Sequence, residues 1–286
     1  MHVPVLSREV LEHLAVRPEG IYLDATAGLG GHTGQIASRL TTGFVVANDR
    51  DAESLEIAKR NTAEWAGRIR YHHGPFSQVD RALAAAGVEK VDGLLADLGV
   101  SRYQLTEGAR GFSLQADGPV DMRMDRTQEF SAYEVLNYAS EKELADLIHG
   151  FGEERRARRI ARAIVQARPI RSTLQLAGLI ERAVPRTGRL HPATQTFMAL
   201  RIAVNREMEE LDGFLDLVPK LTKTGGRIVI LTFMSLEDRK VKHKFRELAK
   251  QAQLRILTKH VVRPTEEEVR ENPASRSAML RAAERT

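Results

Sequence analysis

The stretch "IYLDATAGLGGHTGQIASRL", residues 21–40, decides how the rest of the chain is read. Three apolar residues run into an acid, Asp24, and four glycines (Gly28, Gly30, Gly31 and Gly34) then fall within seven positions. Such a sequence is either a tight turn into a helix or a loop that something approaches closely. Glycine lets the backbone turn sharply and removes the side chain that would hold a ligand off. A loop between a strand and a helix N-terminus also offers free N–H groups. The segment therefore suits a nucleotide-like ligand at the carboxyl ends of parallel strands.

Outward from this loop, apolar runs alternate with helical patterns. "IYLDAT" (21–26), "GFVVAND" (43–49), "RIRYHHG" (68–74) and "VDGLLADLG" (91–99) read as strands. "GHTGQIASRL", "DAESLEIAKRNTAEWA" and "FSQVDRALAAAG" between them have helical spacing. This alternation implies βαβ units and a parallel sheet. Residues 101–130 are irregular, and helix then follows helix up to "HPATQTFMALRIAVNREMEELDGFLDLVPKL". "GGRIVILTF" (225–233) resumes the strand pattern, "SLEDRKVKHKFRELAKQ" reads as a basic amphipathic helix, and "LRILTKHVV" with "SAMLRAAER" reads as a closing strand pair. The expected organisation is an α/β domain, 1–105 plus 199–286, interrupted by an all-helical insertion at 106–198.

Composition narrows the class. Cysteine is absent from the 286 residues, which removes disulfides and thiolate metal sites and fits a reducing compartment. No apolar run is long enough for a bilayer, and "MHVPVLSREVLEHL" does not read as a signal peptide, so a cytoplasmic protein is expected. The formal charge is +5, and residues 150–171, "GFGEERRARRIARAIVQARPIR", hold seven Arg against two Glu. One segment thus equals the whole excess, a footprint that polyanion binders show. Arg155, Arg158 or Arg159, and Arg162 are expected on one helical face; the alternative is a merely solvated face.

The strand ends sharpen the ligand. The second strand closes on "ANDRD", with Asp49 placed 21 residues beyond Gly28. A carboxylate there can accept hydrogen bonds from ribose hydroxyls, or it can cap the next helix. An NAD fingerprint wants a third glycine at position 33, where this chain has Thr33. An adenosine ligand without a pyrophosphate fits better, which points to S-adenosylmethionine. Phe76, just beyond the third strand, can cover an adenine face or sit in the core. Asp97 ends an apolar run and must find donors or water.

The motifs "VPVLSREVLEHL", "LDATAGLGGHT", "NDRD", "HGPFS", "DLGVS", "GFSLQADGPVDMRMD", "GEERRARRIARAI", "HPATQTFMALRIAVN", "GGRIVILTF", "SLEDR" and "ENPASRSAMLR" follow one another in one chain. In order and spacing they resemble the MraW (RsmH) family of bacterial 16S rRNA cytosine-N4 methyltransferases, which act at position 1402. The resemblance implies a class I (Rossmann-like) methyltransferase sheet with an inserted helical, RNA-recognising domain. It also implies S-adenosylmethionine as cofactor, no metal, the small ribosomal subunit or its 16S rRNA as partner, and the possibility of a homodimer. Matched motif by motif, the cofactor contacts would be Gly30, Gly31, His32, Asp49, Phe76, Asp97 and Gln104, to which the glycine pattern adds Gly28; His32 and Gln104 rest mainly on the family. The chain departs from the family at Met234, which stands where a His is usual, and at Arg102 and Tyr103 in "GVSRYQL".

Transfer to a cytosine amino group sets a particular demand. The amino lone pair is delocalised into the ring, so acceptors on its N–H groups help it pyramidalise and lose a proton. Asp97 is the candidate for this catalytic role, or for holding the cofactor's amino group; Ser101 can help or simply serve the turn. The target base must be unstacked to enter such a pocket. Two other classes stay open on sequence grounds: a non-catalytic nucleotide-binding ribosome assembly factor and an NAD-dependent oxidoreductase.

Overall fold

Strands that are apolar along their whole length need cover on both faces, and the alternating helices supply it. The computed structural model describes residues 4–186, 188 and 191–286. Helix α1 (Ser7–Leu14) precedes β1 (Ile21–Asp24); α2 (Gly31–Ala37), β2 (Phe44–Asp49), α3 (Ala52–Asn61), β3 (Ile69–His73), α4 (Val79–Ala85) and β4 (Val91–Asp97) then alternate. Next come α5 (Arg102–Thr106), α6 (Ala132–Tyr138), α7 (Glu141–Gly152), α8 (Ala157–Gln166), α9 (Thr173–Ala183) and α10 (Thr194–Asn205). Among the described residues this run holds no β-pairing beyond a single bridge between Pro119 and Ser172. Helix α11 (Glu207–Leu221) leads back to β5 (Thr222–Thr232), α12 (Ser235–Lys250), β6 (Leu254–Ile256), α13 (Glu266–Glu271) and β7 (Met279–Arg285).

The seven strands form one sheet in the order β3-β2-β1-β4-β5-β7-β6. Strands β1 to β5 are parallel, and β7 runs antiparallel between β5 and β6. The expected closing pair is present, with its first member shortened to three residues. Strand order reverses between β1 and β4, and ligands of open α/β sheets bind outside the carboxyl ends at such a switch point. Side chains alternate between the faces. Tyr22, Val45, Ala47, Leu95, Val229 and Leu231 pack with residues of α1, α2 and α3. Leu23, Val46, Leu94, Ala96, Ile228 and Ile230 pack with α4, α11 and α12. The period of two thus assigns each layer its helices.

The chain divides into two compact units, 1–99 with 208–286, and 100–207. The first contains the whole sheet. The second is built from α5 to α10, with Leu136, Leu144, Ile148, Ile160, Ile164, Ile180 and Leu200 in its core. Polar staples hold its irregular opening. Among the described residues Arg110 is the largest fully buried side chain, and its Nη2 donates to the carbonyls of Arg123 (2.9 Å) and Met124 (3.0 Å). Asn205, the last residue of α10, accepts the Met124 N–H (2.8 Å) and donates to the carbonyls of Met122 and Arg201 (both 2.8 Å). The motifs "DMRMD" and "TQTFMALRIAVN" are therefore joined through one buried amide. Asn205→Ala should destabilise the protein by about 3 kcal/mol, the cost of stranding buried backbone groups. Urea unfolding checks this, and an unchanged transition would show that other contacts hold the segment.

Candidate functional site

The acid that ends β1 is an internal staple. Asp24 is buried; its Oδ2 accepts the Thr33 hydroxyl of α2 (2.6 Å) and its Oδ1 accepts the Thr26 N–H (3.3 Å). Thr26 in turn accepts the Asp97 N–H through Oγ1 (2.7 Å), which ties the tips of β1 and β4 together. Gly28 and Gly30 have φ of +51° and +85°, which side-chain-bearing residues rarely adopt. A Cβ on Gly30 would lie 2.9 Å from Thr62 Cγ2, and one on Gly31 2.7 Å from Pro4 Cγ, so packing already demands both glycines. At Gly28 the nearest atom would be 4.0 Å away.

Two of the loop's N–H groups are already engaged. Gly30 donates to the Ala27 carbonyl (2.8 Å), and Gly28 donates to Asp49 Oδ2 (2.7 Å). Asp49 Oδ1 accepts the Asp51 N–H (2.8 Å), while Asp51 itself caps α3. Asp49 is thus not the helix cap; it latches the glycine loop to the end of β2. A carboxylate has about four lone-pair sites, so it can still accept from a ligand. Phe76 follows β3, two residues past Gly74, whose N–H donates to the Asp49 carbonyl (2.9 Å). Its ring meets Phe214 edge-on at 5.4 Å between centroids and stays partly buried.

Charge is concentrated at these strand tips. Burial pushes Asp24 up to about 6, against the pull of its Thr33 hydrogen bond. Burial likewise pushes Asp49 up to about 6, offset by the N–H groups of Asp51 and Gly28. Asp97 rises furthest, to about 8, through burial first and then the negative charges of Asp24 and Glu237. His32 is pushed down to about 4 by burial and is therefore neutral at physiological pH. Its Nε2 lies 3.7 Å from Asp97 Oδ2. Both His32 nitrogens and Asp97 Oδ1 are buried with no hydrogen-bond partner among the described residues. Most buried polar atoms find a partner, so these three are available to the polar groups of a ligand. Clustered acids with raised pKa values suit a ligand that carries positive charge and N–H donors.

Gly28, Gly30, Gly31, His32, Asp49, Phe76 and Asp97 all lie in the sheet-bearing unit, at the carboxyl ends of β1 to β4. Gln104 belongs to the other unit. There it is buried, and its Oε1 accepts the Ser101 N–H (2.8 Å) while its own N–H donates to Ser101 Oγ (3.3 Å). Ser101 and Gln104 together form the capping box of α5, so Ser101 has the turn role. Four builders of the site escaped the sequence reading: Thr26, Thr33, Asn48 and Glu237. Asn48 is fully buried and donates to the carbonyls of Ala25 (3.2 Å) and Gly74 (2.9 Å), fixing the backbone on both sides of β2. An Asn inside an apolar strand was the available signal. Glu237 accepts the N–H groups of Phe233 (3.0 Å) and Met234 (3.3 Å).

The arginine-rich stretch lies in the second unit, and its charge is less uniform than its sequence. Helix α8 begins at Ala157, so Arg155 sits in the preceding turn rather than on the helix. Arg156 bonds Glu154 and the Pro185 carbonyl, and Arg168 bonds the carbonyls of Leu136 and Ala139. Arg158, Arg159 and Arg162 are exposed.

Comparison with known proteins agrees with this geometry. The model of the MraW methylase family matches residues 1–286. A ribosomal RNA small subunit methyltransferase H of Solibacter usitatus is 64% identical over 284 residues, covering 99% of both chains. Proteins of the same name from a Cyanothece species and from Thermosipho africanus are 48% and 46% identical, covering 100% and 99% of this chain and 95% and 97% of their own. With its strand order, its glycine loop and its acidic strand tips, the chain belongs to the MraW methylase family.

Proposed function

We propose that the protein methylates the exocyclic N4 amino group of a cytidine in 16S rRNA, using S-adenosylmethionine, and that it works in the cytoplasm on the small ribosomal subunit. The chain belongs to the MraW methylase family, and its relatives are named ribosomal RNA small subunit methyltransferases, which supports an enzyme that methylates ribosomal RNA. The observation that carries the site assignment is the pairing of unmatched polar atoms on Asp97 and His32 with three raised acids around a glycine loop. The cofactor supplies a methyl group on a sulfonium. Gly28, Gly30, Gly31 and the neutral His32 would line its approach, Asp49 would accept from ribose hydroxyls, and Phe76 would border the adenosine. Asp97 would take either the methionine ammonium or an N–H of the cytosine amino group, whose proton must leave. Alignment of these groups and the field they create are the main catalytic contributions expected for an in-line displacement.

Among the described residues no helix is long and apolar enough to cross a membrane. The exposed Arg158, Arg159 and Arg162 favour a polyanionic partner. The deciding experiment is transfer of labelled methyl from the cofactor to 30S particles, followed by mass spectrometry of the 16S nucleosides. Label on N4-methylcytidine supports the reading; label on any other nucleoside, or none, overturns it.

Asp49→Ala should weaken cofactor binding by roughly 1–3 kcal/mol, since it removes an acceptor and also frees the Gly28 N–H. Unchanged affinity in calorimetry would reject the ribose assignment. Asp97 yields a pH prediction. Its folded pKa of about 8 lies above the ordinary carboxylate value, so its ionisation disfavours the free protein increasingly as pH rises from about 4 to 8. Asp97→Asn should therefore raise the Tm of the cofactor-free protein, by more at pH 8 than at pH 5, while abolishing methyl transfer. A pH-independent Tm difference would contradict the raised pKa.

A further inference from the structure

Tyr138, the last residue of α6, is 74% exposed, more than Leu105, Phe130, Leu174 or Ile256, the other large exposed apolar side chains among the described residues. Its ring is not loose. Tyr133, five residues earlier, meets it edge-on with centroids 6.2 Å apart and planes at 75°. Edge-to-face pairing of this kind is a favoured aromatic geometry and biases the attitude of the Tyr138 plane.

The surroundings of Tyr138 are cationic. Arg168 Nε donates to the Leu136 carbonyl (2.7 Å) and its Nη2 to the Ala139 carbonyl, so its guanidinium brackets the backbone that carries Tyr138. Asn137 and Ile170 exchange two hydrogen bonds (2.9 and 2.8 Å), which sets the exposed Arg171 beside the same corner. Three residues beyond Tyr138, Glu141 receives Arg162 Nε at 3.4 Å. Arg158 lies near enough to Asp146 to help Lys142 hold that carboxyl below its usual range. The influence of Arg158 on Asp146 and the ion pair of Arg162 with Glu141 run α8 antiparallel to α7. The exposed arginine row therefore runs toward the Tyr138 corner. The acids near it are engaged: Glu141 by Arg162, Glu143 in the cap of Ser140, and Asp146 by Lys142.

We propose that Tyr138, braced by Tyr133, is a stacking platform for one unpaired RNA base, and that Arg158, Arg162 and Arg171 track the phosphates of the same strand. The proposal rests on the rRNA-methyltransferase reading and names how the second unit grips its substrate. Unpaired bases are recognised by stacking on aromatic faces, and the backbone by a neighbouring positive track. A protein partner would call for a wider apolar patch. Here the chain neighbours of Tyr138 are Asn137, Ala139, Ser140 and Glu141, and arginines flank them.

Stacking and charge respond differently to salt, and that separates them. A short single-stranded RNA containing the methylated segment is titrated with wild-type protein, Tyr138→Ala, Tyr138→Phe and the double variant Arg158→Ala/Arg162→Ala over a range of salt concentrations. Tyr138→Ala should bind about ten-fold more weakly with an unchanged slope of log K against log salt, and Tyr138→Phe should bind like wild type. The double arginine variant should bind more weakly and with a flatter slope. Wild-type affinity in Tyr138→Ala would overturn the proposal, as would a flattened slope in that variant. A change in its oligomeric state would do so too, since Tyr138 would then be covered by a second copy. Wild-type protein that methylates 30S particles but whose RNA affinity ignores Tyr138 defeats the stacking platform alone. Wild-type protein that methylates no RNA defeats the reading beneath it.

Discussion

A carboxylate buried at the tip of β1 cannot be left unmatched, and the shape of the site follows from how Asp24 is satisfied. Its two oxygens reach forward to Thr33 and Thr26, which folds the intervening glycines back over the strand end. Thr26 then positions the backbone of Asp97, so one acid on β1 sets the place of another on β4. The Asp49 latch on Gly28 closes the loop from the opposite side. The glycines do not create this loop by flexibility. They permit it by fitting against Thr62, Ala58 and Pro4, while hydrogen bonds to acids determine its course.

The same arrangement loads the strand tips with negative charge. Asp24, Asp49 and Asp97 each gain protons more readily than a solvated acid, and Glu237 worsens the position of Asp97. Such a cluster reduces the stability of the free protein, and a packing argument alone gives no reason to keep it. A ligand with positive charge reverses the sign of the effect, because each carboxylate that disfavours the free state then attracts. Neutral His32 adds no competing cation. The destabilised acids thus act as a preference for cationic ligands, and clustering of perturbed titratable groups at functional sites has this physical origin.

How much of this was legible depends on whether the interaction is local. Strands β2 and β4 are buried on both faces, so "FVVAND" and "VDGLLADLG" stand out as apolar runs and their order follows from the helices between them. The closing pair was visible too, though nothing in "LRILTKHVV" shows that the regular ladder ends at Ile256 and meets β7 again as a single bridge from Val262 to Leu280. The acids at the strand tips were visible as residues but not as partners. "ANDRD" holds two acids, and spacing cannot tell that Asp51 caps α3 while Asp49 bonds Gly28, because that bond crosses 21 positions. Asn48 stood out as a polar residue in an apolar strand, but its partners were unreadable for the same reason: they lie just past β1 and in the loop after β3. Polar atoms inside a sheet acquire meaning only from neighbours that the sequence places far away.

The arginine-rich stretch carries the complementary lesson. Counted along the chain, it equals the whole formal excess of charge, yet its arginines do two kinds of work. Arg156 and Arg168 satisfy carbonyls at the ends of other segments, where a guanidinium with five donors serves as a structural clamp. What remains outward is a narrower row on α8, with Arg155 in the turn before it and Arg171 beyond it. A narrow row is more informative than a diffuse patch, because it has a direction. The field of a compact cluster attracts any polyanion from any side, whereas a line of charges one helical turn apart favours a strand lying along it. Its direction is set by the packing of α8 against α7, and so by the apolar residues Ile160 and Ile164 on the opposite face. The hydrophobic stripe that folds this helix is therefore also what aims its charge.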